Sequence, residues 1–396
     1  MTKIGIIVGS TPTAQAAPRP LSGPALDELA ATIAVEATVV GLGESTRFAH
    51  ETFTVRDQLF GRLAQRHGFR ALALQDNASV AEKLDRYVTG GEGTAGSALD
   101  GAWRPWRTAE TAAALDWIRA FNKDHADDPI RIFGVKPAHA ESADYDAILD
   151  YVRRSAPRRL DEVAAHLEPI RTAHQIDEHV QSFGGLHPGR PFADHARDAL
   201  AIVRSLPGTN PDSPVVQRMR RIVDYHERSV AGRSSYAGDA ETWARTIREY
   251  QQRTGARVVY WDGISHTSAS SATLGLAPER GPQPSVGSVL RQHYGARYVS
   301  VAIGFHHGDL GMFAVPDPAH DLIDAELGAK NQPAVWMDLR FGGARRRWDR
   351  PAKARVISGV YDVSRDAAEH MAVASLADAF DVLIHIRQVT PVRWLP

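Results

Sequence analysis

Six short runs of aliphatic and aromatic residues recur along the chain, each followed by a turn and a stretch of helical spacing. They are TVVGLGE (38–44), ALALQDN (71–77), IRIFGVK (130–136), RVVYWDG (257–263), YVSVAIGF (298–305) and DVLIHIRQV (381–389). A strand that is apolar at nearly every position must be covered on both faces. Strands of that kind separated by helices predict an α/β fold: a largely parallel central sheet flanked by helices. KIGIIVG at 3–9 reads as a further strand, and the Pro-rich stretch at 10–24 as a connector.

Between residues 144 and 251 the pattern changes. Segments such as DYDAILDYVRRSA and DHARDALAIVRSL place apolar residues at helical spacing, and no strand pattern appears. Pro and Gly clusters at 184–191 and 207–214 divide the helices. The organisation expected is therefore an α/β core in two halves, 1–143 and 252–396, with a helical subdomain inserted at 144–251.

Composition excludes several classes. The chain has no cysteine, so disulfides, thiolate zinc sites and cysteine nucleophiles are absent. With 46 basic against 47 acidic residues, neither nucleic acid nor an anionic membrane is indicated as a partner. No stretch approaches the ~20 apolar residues of a membrane-spanning helix. The short apolar run at the start lacks a convincing secretory cleavage signal, so a cytoplasmic protein is expected.

Familiar catalytic signatures are missing. There is no G-x-S-x-G elbow and no phosphate-binding P-loop. His50-Glu51 opens like the zinc motif H-E-x-x-H, but Thr54 stands where the second histidine belongs. His50, His266 and His306 have no ligand spacing, so no metal and no other cofactor is expected.

In doubly wound sheets, ligands bind beyond the carboxyl ends of the strands. The residues that follow these ends are Glu44, Arg47, His50 and Glu51, then Gln75, Asp76 and Asn77, then Lys136 and His139, then Asp262 and His266, then His306 and His307. Glu44, His50, His266 and His307 are the candidates for acid/base chemistry. Arg47, Arg56, Gln75, Lys136, Asp262 and His306 are the candidates for binding a small-molecule substrate. Neighbouring side chains on a strand face opposite ways, so one of His306 and His307 is expected at the rim. The histidines of the helical segment (His166, His174, His179, His187, His195 and His226) read mainly as surface residues.

GLGESTRFAHETFTVRDQLFGRLAQRHGFRALALQDN resembles the opening of the erythromycin esterase-like proteins. Further resemblances follow in order: RTAETAAALDWIRAFN, IRIFGVK, RVVYWDGISHTS, VGSVLRQHYGARYVSVAIGF and AFDVLIHIRQVTPVRWL. Each segment alone is weak, but the ordered set covers about two-thirds of the chain. The resemblance implies an α/β core with a helical insertion walling a deep cleft. It also implies metal-independent ester hydrolysis of macrolides, with a histidine activating water near glutamates. Glu44, Arg56 and His266 match the family pattern. The family's histidine in its first motif falls on Arg47, its strand-end glutamate on Gln75, an aspartate on Lys136, and a further histidine on Gly263.

An arginine stays protonated and cannot act as a general base. The His–Glu pair implied by the resemblance therefore does not carry over. The changes to Arg47, Gln75 and Lys136 each make the cleft more positive, which suits an anionic ligand. The expected function is a divergent esterase-like enzyme of antibiotic biosynthesis or other secondary metabolism. It would act on an anionic natural-product intermediate by hydrolysis, elimination, cyclisation or acyl transfer. The alternative is a catalytically inactive binding or scaffold homologue.

Overall fold

The computed structural model describes residues 17–136, 140–174, 178, 181, 189–227, 236–329, 332–357 and 359–396. The run at 3–9, together with His139, His179 and His187 and the side chain of His174, lies outside the described residues.

A nine-stranded sheet forms the centre. Its strands in chain order are β1 (Arg19–Pro20), β2 (Val39–Glu44), β3 (Phe69–Asn77), β4 (Arg131–Lys136), β5 (Arg257–Gly263), β7 (Tyr298–Asp309), β8 (Ala314–Val315), β9 (Ala334–Asp338) and β12 (Val382–Val389). Two of them are only two residues long, and β6 (Thr273–Leu274) joins β10 (Ala352–Arg355) and β11 (His370–Val373) in a separate three-stranded sheet. The spatial order is β1-β9-β12-β7-β2-β5-β3-β4, with β8 on β7. From β12 to β4 every pairing is parallel, while β9 runs antiparallel to β12. All six runs read from the sequence are strands of this parallel section.

The apolar continuity of these runs has a direct cause. Val40, Leu42, Leu72, Leu74, Val259 and Trp261 belong to a core on one face. Their neighbours Val39, Ala71, Ala73, Val258 and Tyr260 belong to a core on the other. The helices His50–His67, Ala78–Val88 and Ala109–Asp124 contribute to the first face. Tyr236–Thr254 and Val286–Tyr294 cover the second. The helices Ser142–Ser155, Leu160–Ile170, Phe192–Arg204 and Pro214–Glu227 bury their apolar stripes in a cluster of their own. Helix Tyr236–Thr254 differs from these, since it packs Trp243 and Ile247 on the sheet.

The N-terminal connector is shorter than the sequence suggests. Arg19–Pro20 already pairs with β9, and a helix starts at Gly23 with Ser22 capping Ala25 N–H. The Pro there is at the start of a helix, where its missing N–H costs nothing.

The chain reverses direction around β2. From β2 it moves two places to β3, and the later strands β7 and β12 lie on the opposite side. The connections thus diverge at β2, a topological switch point, and the carboxyl end of β5 lies next to it. Close packing fixes it. A Cβ on Gly43 would lie 2.0 Å from Thr267 Oγ1 and 2.8 Å from Ile264 Cα, so only glycine lets the turn after β5 sit against β2.

Candidate active site

Glu44 ends β2, and Asp262 lies on β5 in register with Gly43. Two carboxylates therefore emerge from adjacent strands one residue apart. Arg47 bridges them: its Nε donates to Glu44 Oε1 at 3.1 Å, and its Nη2 donates to Asp262 Oδ1. The Tyr260 hydroxyl donates to Asp262 Oδ2, and Gly263 N–H donates to Oδ1 at 2.7 Å. A second guanidinium, Arg56, places Nη1 3.9 Å from Glu44 Oε2.

Glu44 is fully buried at its side chain, and its Oε2 accepts no hydrogen bond among the described residues. Burial pushes its carboxyl up to about 7. Arg56 and Arg47 pull it down, and the Asp262 charge adds to the rise.

Tryptophans wall the crevice. Arg56 lies over Trp261 at 3.9 Å, over Phe53 at 4.2 Å and over Trp106 at 5.4 Å. Arg47 lies 4.6 Å over Trp103. Lys136 Nζ sits between Trp103 (4.9 Å) and Trp243 (5.4 Å). Among the described residues it has no carboxylate at ion-pair distance. The His266 ring packs 5.4 Å from Trp243. Asp76 accepts from Trp103 N–H at 2.8 Å, and the Gln75 carbonyl accepts from Trp106 Nε1 at 3.1 Å. These cation–π contacts add to the carboxylates that pair with Arg47 and Arg56, the latter also bonded to Asp57 at 3.0 Å, and stabilise Lys136 without one.

The structure brings Glu44, Arg47, Arg56 and Asp262 together, with Lys136 and His266 linked to them through tryptophans; Gln75 is linked only by its main-chain carbonyl, and its Oε1 has no hydrogen-bond partner among the described residues. His50 does not join them. It opens the helix His50–His67, where its Nδ1 meets Glu110 at 2.8 Å and its Nε2 meets Thr54 Oγ1 at 3.3 Å. Burial opposes ionisation of Glu110, but the bonds from His50 and Arg393 N–H hold its carboxyl below the usual range.

His306 and His307 also go elsewhere. Their Nδ1 atoms lie 2.8 Å apart and face Asp317. The expectation that the two rings face opposite ways is not met: β2 pairing ends at Ile303, and beyond it both imidazoles turn to the same carboxylate. Burial lowers the His306 pKa.

Arg47 departs from the expected role too. It is already neutralised by two carboxylates, so the positive character of the cleft falls on Lys136. The sequence reading missed the tryptophans. The WRPW stretch at 103–106 and Trp261, just before Asp262, were the available signals.

The sequence profile of the family described as erythromycin esterase matches residues 64–389. Three solved structures share the fold. A Bacillus cereus protein superposes with a TM-score of 0.66 at 20% identity, covering 98% of this chain and 100% of its own. A succinoglycan biosynthesis protein gives 0.64 at 20% identity, with 96% of each chain covered. The open conformation of an erythromycin esterase mutant gives 0.57 at 14% identity, covering 96% of this chain and 97% of its own.

Proposed function

The chain belongs to the erythromycin esterase family, and from that premise we propose that it is a divergent enzyme of that family. Its substrate is a small anionic natural-product intermediate, and Glu44 is the acid/base group. The observation that carries this reading is the Glu44 carboxyl, raised to about 7 at the switch-point crevice. A group that titrates there can both take and release a proton at neutral pH. Arg47, next to it, holds the Glu44 carboxyl in place. Lys136 holds the anionic group of the substrate against Trp103 and Trp243. His266, on the same wall, is the second candidate for proton transfer.

A second reading rests on one observation. Arg47 saturates Glu44 and Asp262 where the family has a histidine, which would suit a binding homologue without turnover.

Two esters of the same alcohol separate the possibilities: 4-nitrophenyl hemisuccinate, which is anionic, and neutral 4-nitrophenyl butyrate. The proposed enzyme prefers the hemisuccinate. Glu44→Gln lowers turnover by about 10²–10⁴-fold, and Lys136→Met weakens the preference for the anion. Equal rates on both esters would remove the anionic substrate. Turnover unchanged by Glu44→Gln would remove Glu44. Saturable binding of the hemisuccinate without turnover would favour the binding homologue.

A further inference from the structure

We propose that His306, His307 and Asp317 form a site for a divalent cation of the zinc class, apart from the Glu44 crevice and independent of its assignment. The donor atoms already converge. His306 Nδ1 and His307 Nδ1 lie 3.4 and 3.5 Å from Asp317 Oδ1, and 2.8 Å from one another. A tetrahedral zinc centre with bonds of about 2.0–2.2 Å spaces its donors roughly 3.3–3.6 Å apart. The two imidazole–carboxylate edges fall in that range. The imidazole–imidazole edge must open by about half an ångström to reach it, which a small rotation of the more exposed His307 ring supplies. Two imidazoles and one carboxylate are a donor set for a borderline cation, and three protein ligands leave the fourth position to solvent.

The site is built rather than accidental, because the backbone on both sides of it is clamped. Arg355 is completely buried. Its Nη1 donates to the carbonyl of His306 and, at 2.9 Å, to that of Pro316, while its Nη2 bonds Asp366 at 2.9 Å. One guanidinium thus ties the strand that carries the histidines to the loop that carries Asp317. Pro316 and Pro318 flank Asp317 and narrow the backbone freedom of that loop. Gly328 fixes the first ring: a Cβ at that position would lie 2.0 Å from His306 Cδ2. Without a cation, one imidazole donates its Nδ1–H to the bare Nδ1 of the other. Binding requires lone pairs at both Nδ1 atoms, so the donating ring moves its proton to Nε2 by exchange with solvent.

The histidines are adjacent in sequence, and Asp317 comes ten residues later. That spacing matches no common metal motif, so the sequence alone points to no metal here.

The test is a Co²⁺ titration of chelator-treated, tag-free protein, read by visible d–d absorption and followed by Zn²⁺ competition. The expected result is one Co²⁺ per chain, displaced by Zn²⁺. His307→Ala and Asp317→Asn should each weaken binding about tenfold or more. The Asp317 side chain is 79% exposed, so Asp317→Asn tests the site without threatening the fold. His50→Ala, which alters a histidine elsewhere, should leave the titration unchanged. No Co²⁺ absorption, or the same absorption in wild type and both site variants, would overturn the proposal.

Discussion

Replacing Glu44 by Gln should make the protein more stable at high pH and leave it unchanged at low pH. Gln has the shape of the protonated acid, so it mimics the form that burial favours. The carboxyl moves from 4.5 to about 7 in the folded chain. At about 1.4 kcal/mol per pH unit, that difference corresponds to about 3 kcal/mol. The sign follows from proton binding. Between these two pKa values the folded state holds the proton and the unfolded state has released it, so stability falls as pH rises through that window. Below about 4.5 both states are protonated, and the Glu44 contribution is fully present. Above about 7 it is lost. Urea denaturation of wild type and Glu44→Gln from pH 4.5 to pH 8.5 should give curves that coincide at the acid end. They should separate by about 3 kcal/mol at the alkaline end, with the variant more stable. If the variant is instead less stable at pH 8, Arg47 and Arg56 outweigh burial, and Glu44 is an ordinary low-pKa ion-pair partner. That result would also remove the proton-transfer role proposed for it.

Other perturbations test neighbouring parts of the argument. Arg56 is the stronger of the two cations that lower the Glu44 carboxyl. Arg56→Met should therefore move the Glu44-dependent step in stability above pH 7, read from the same denaturation series. Gly43→Ala should cost about 1–3 kcal/mol, because its methyl would meet the Ile264 backbone at 2.8 Å; thermal unfolding checks this. Asn122 donates to the carbonyls of Val88 and Ile130 at 2.9 Å and accepts from Ile130 N–H at 2.7 Å. Asn122→Ala leaves those buried groups unpaired and should cost roughly 2–4 kcal/mol in chemical denaturation.

The parallel strands were legible because burial on both faces removes polar residues from them. β9 was not, although it belongs to the same sheet. It is five residues long, antiparallel and next to the sheet edge, and AVWMD carries no turn or helix signal of the βα type. The site was legible where a side chain belongs to a strand end. Glu44 and Asp262 are placed by the sheet itself, and the register between β2 and β5 brings them together. His50 is only six residues beyond Glu44, but the first turn of its helix aims it at Glu110, the second residue of another helix. Sequence distance from a strand end says nothing about that rotation. The tryptophans were illegible for a different reason. Trp103 comes from the loop before a short helical turn and Trp243 from a helix that follows the four-helix cluster, so no local period links either of them to Lys136.

The departures from the family pattern make more sense in space than in sequence. Gly263 stands where the family pattern has a histidine, and a Cβ there would lie 3.4 Å from Arg47 Nη2. That is ordinary van der Waals contact, so position 263 lies directly beside the guanidinium. The same guanidinium then reaches both Glu44 and Asp262. Two like charges on adjacent strands repel at a buried position, and the arginine between them offsets part of that cost. The floor of the crevice is thereby close to neutral, and it holds a carboxyl that titrates near pH 7. Lys136 Nζ faces tryptophan rings. On the proposed reading, recognition of an anion and transfer of a proton fall to different residues. Lys136 sets which ligand enters, and Glu44 sets what happens to it, so substitutions at the two positions should act on different kinetic constants.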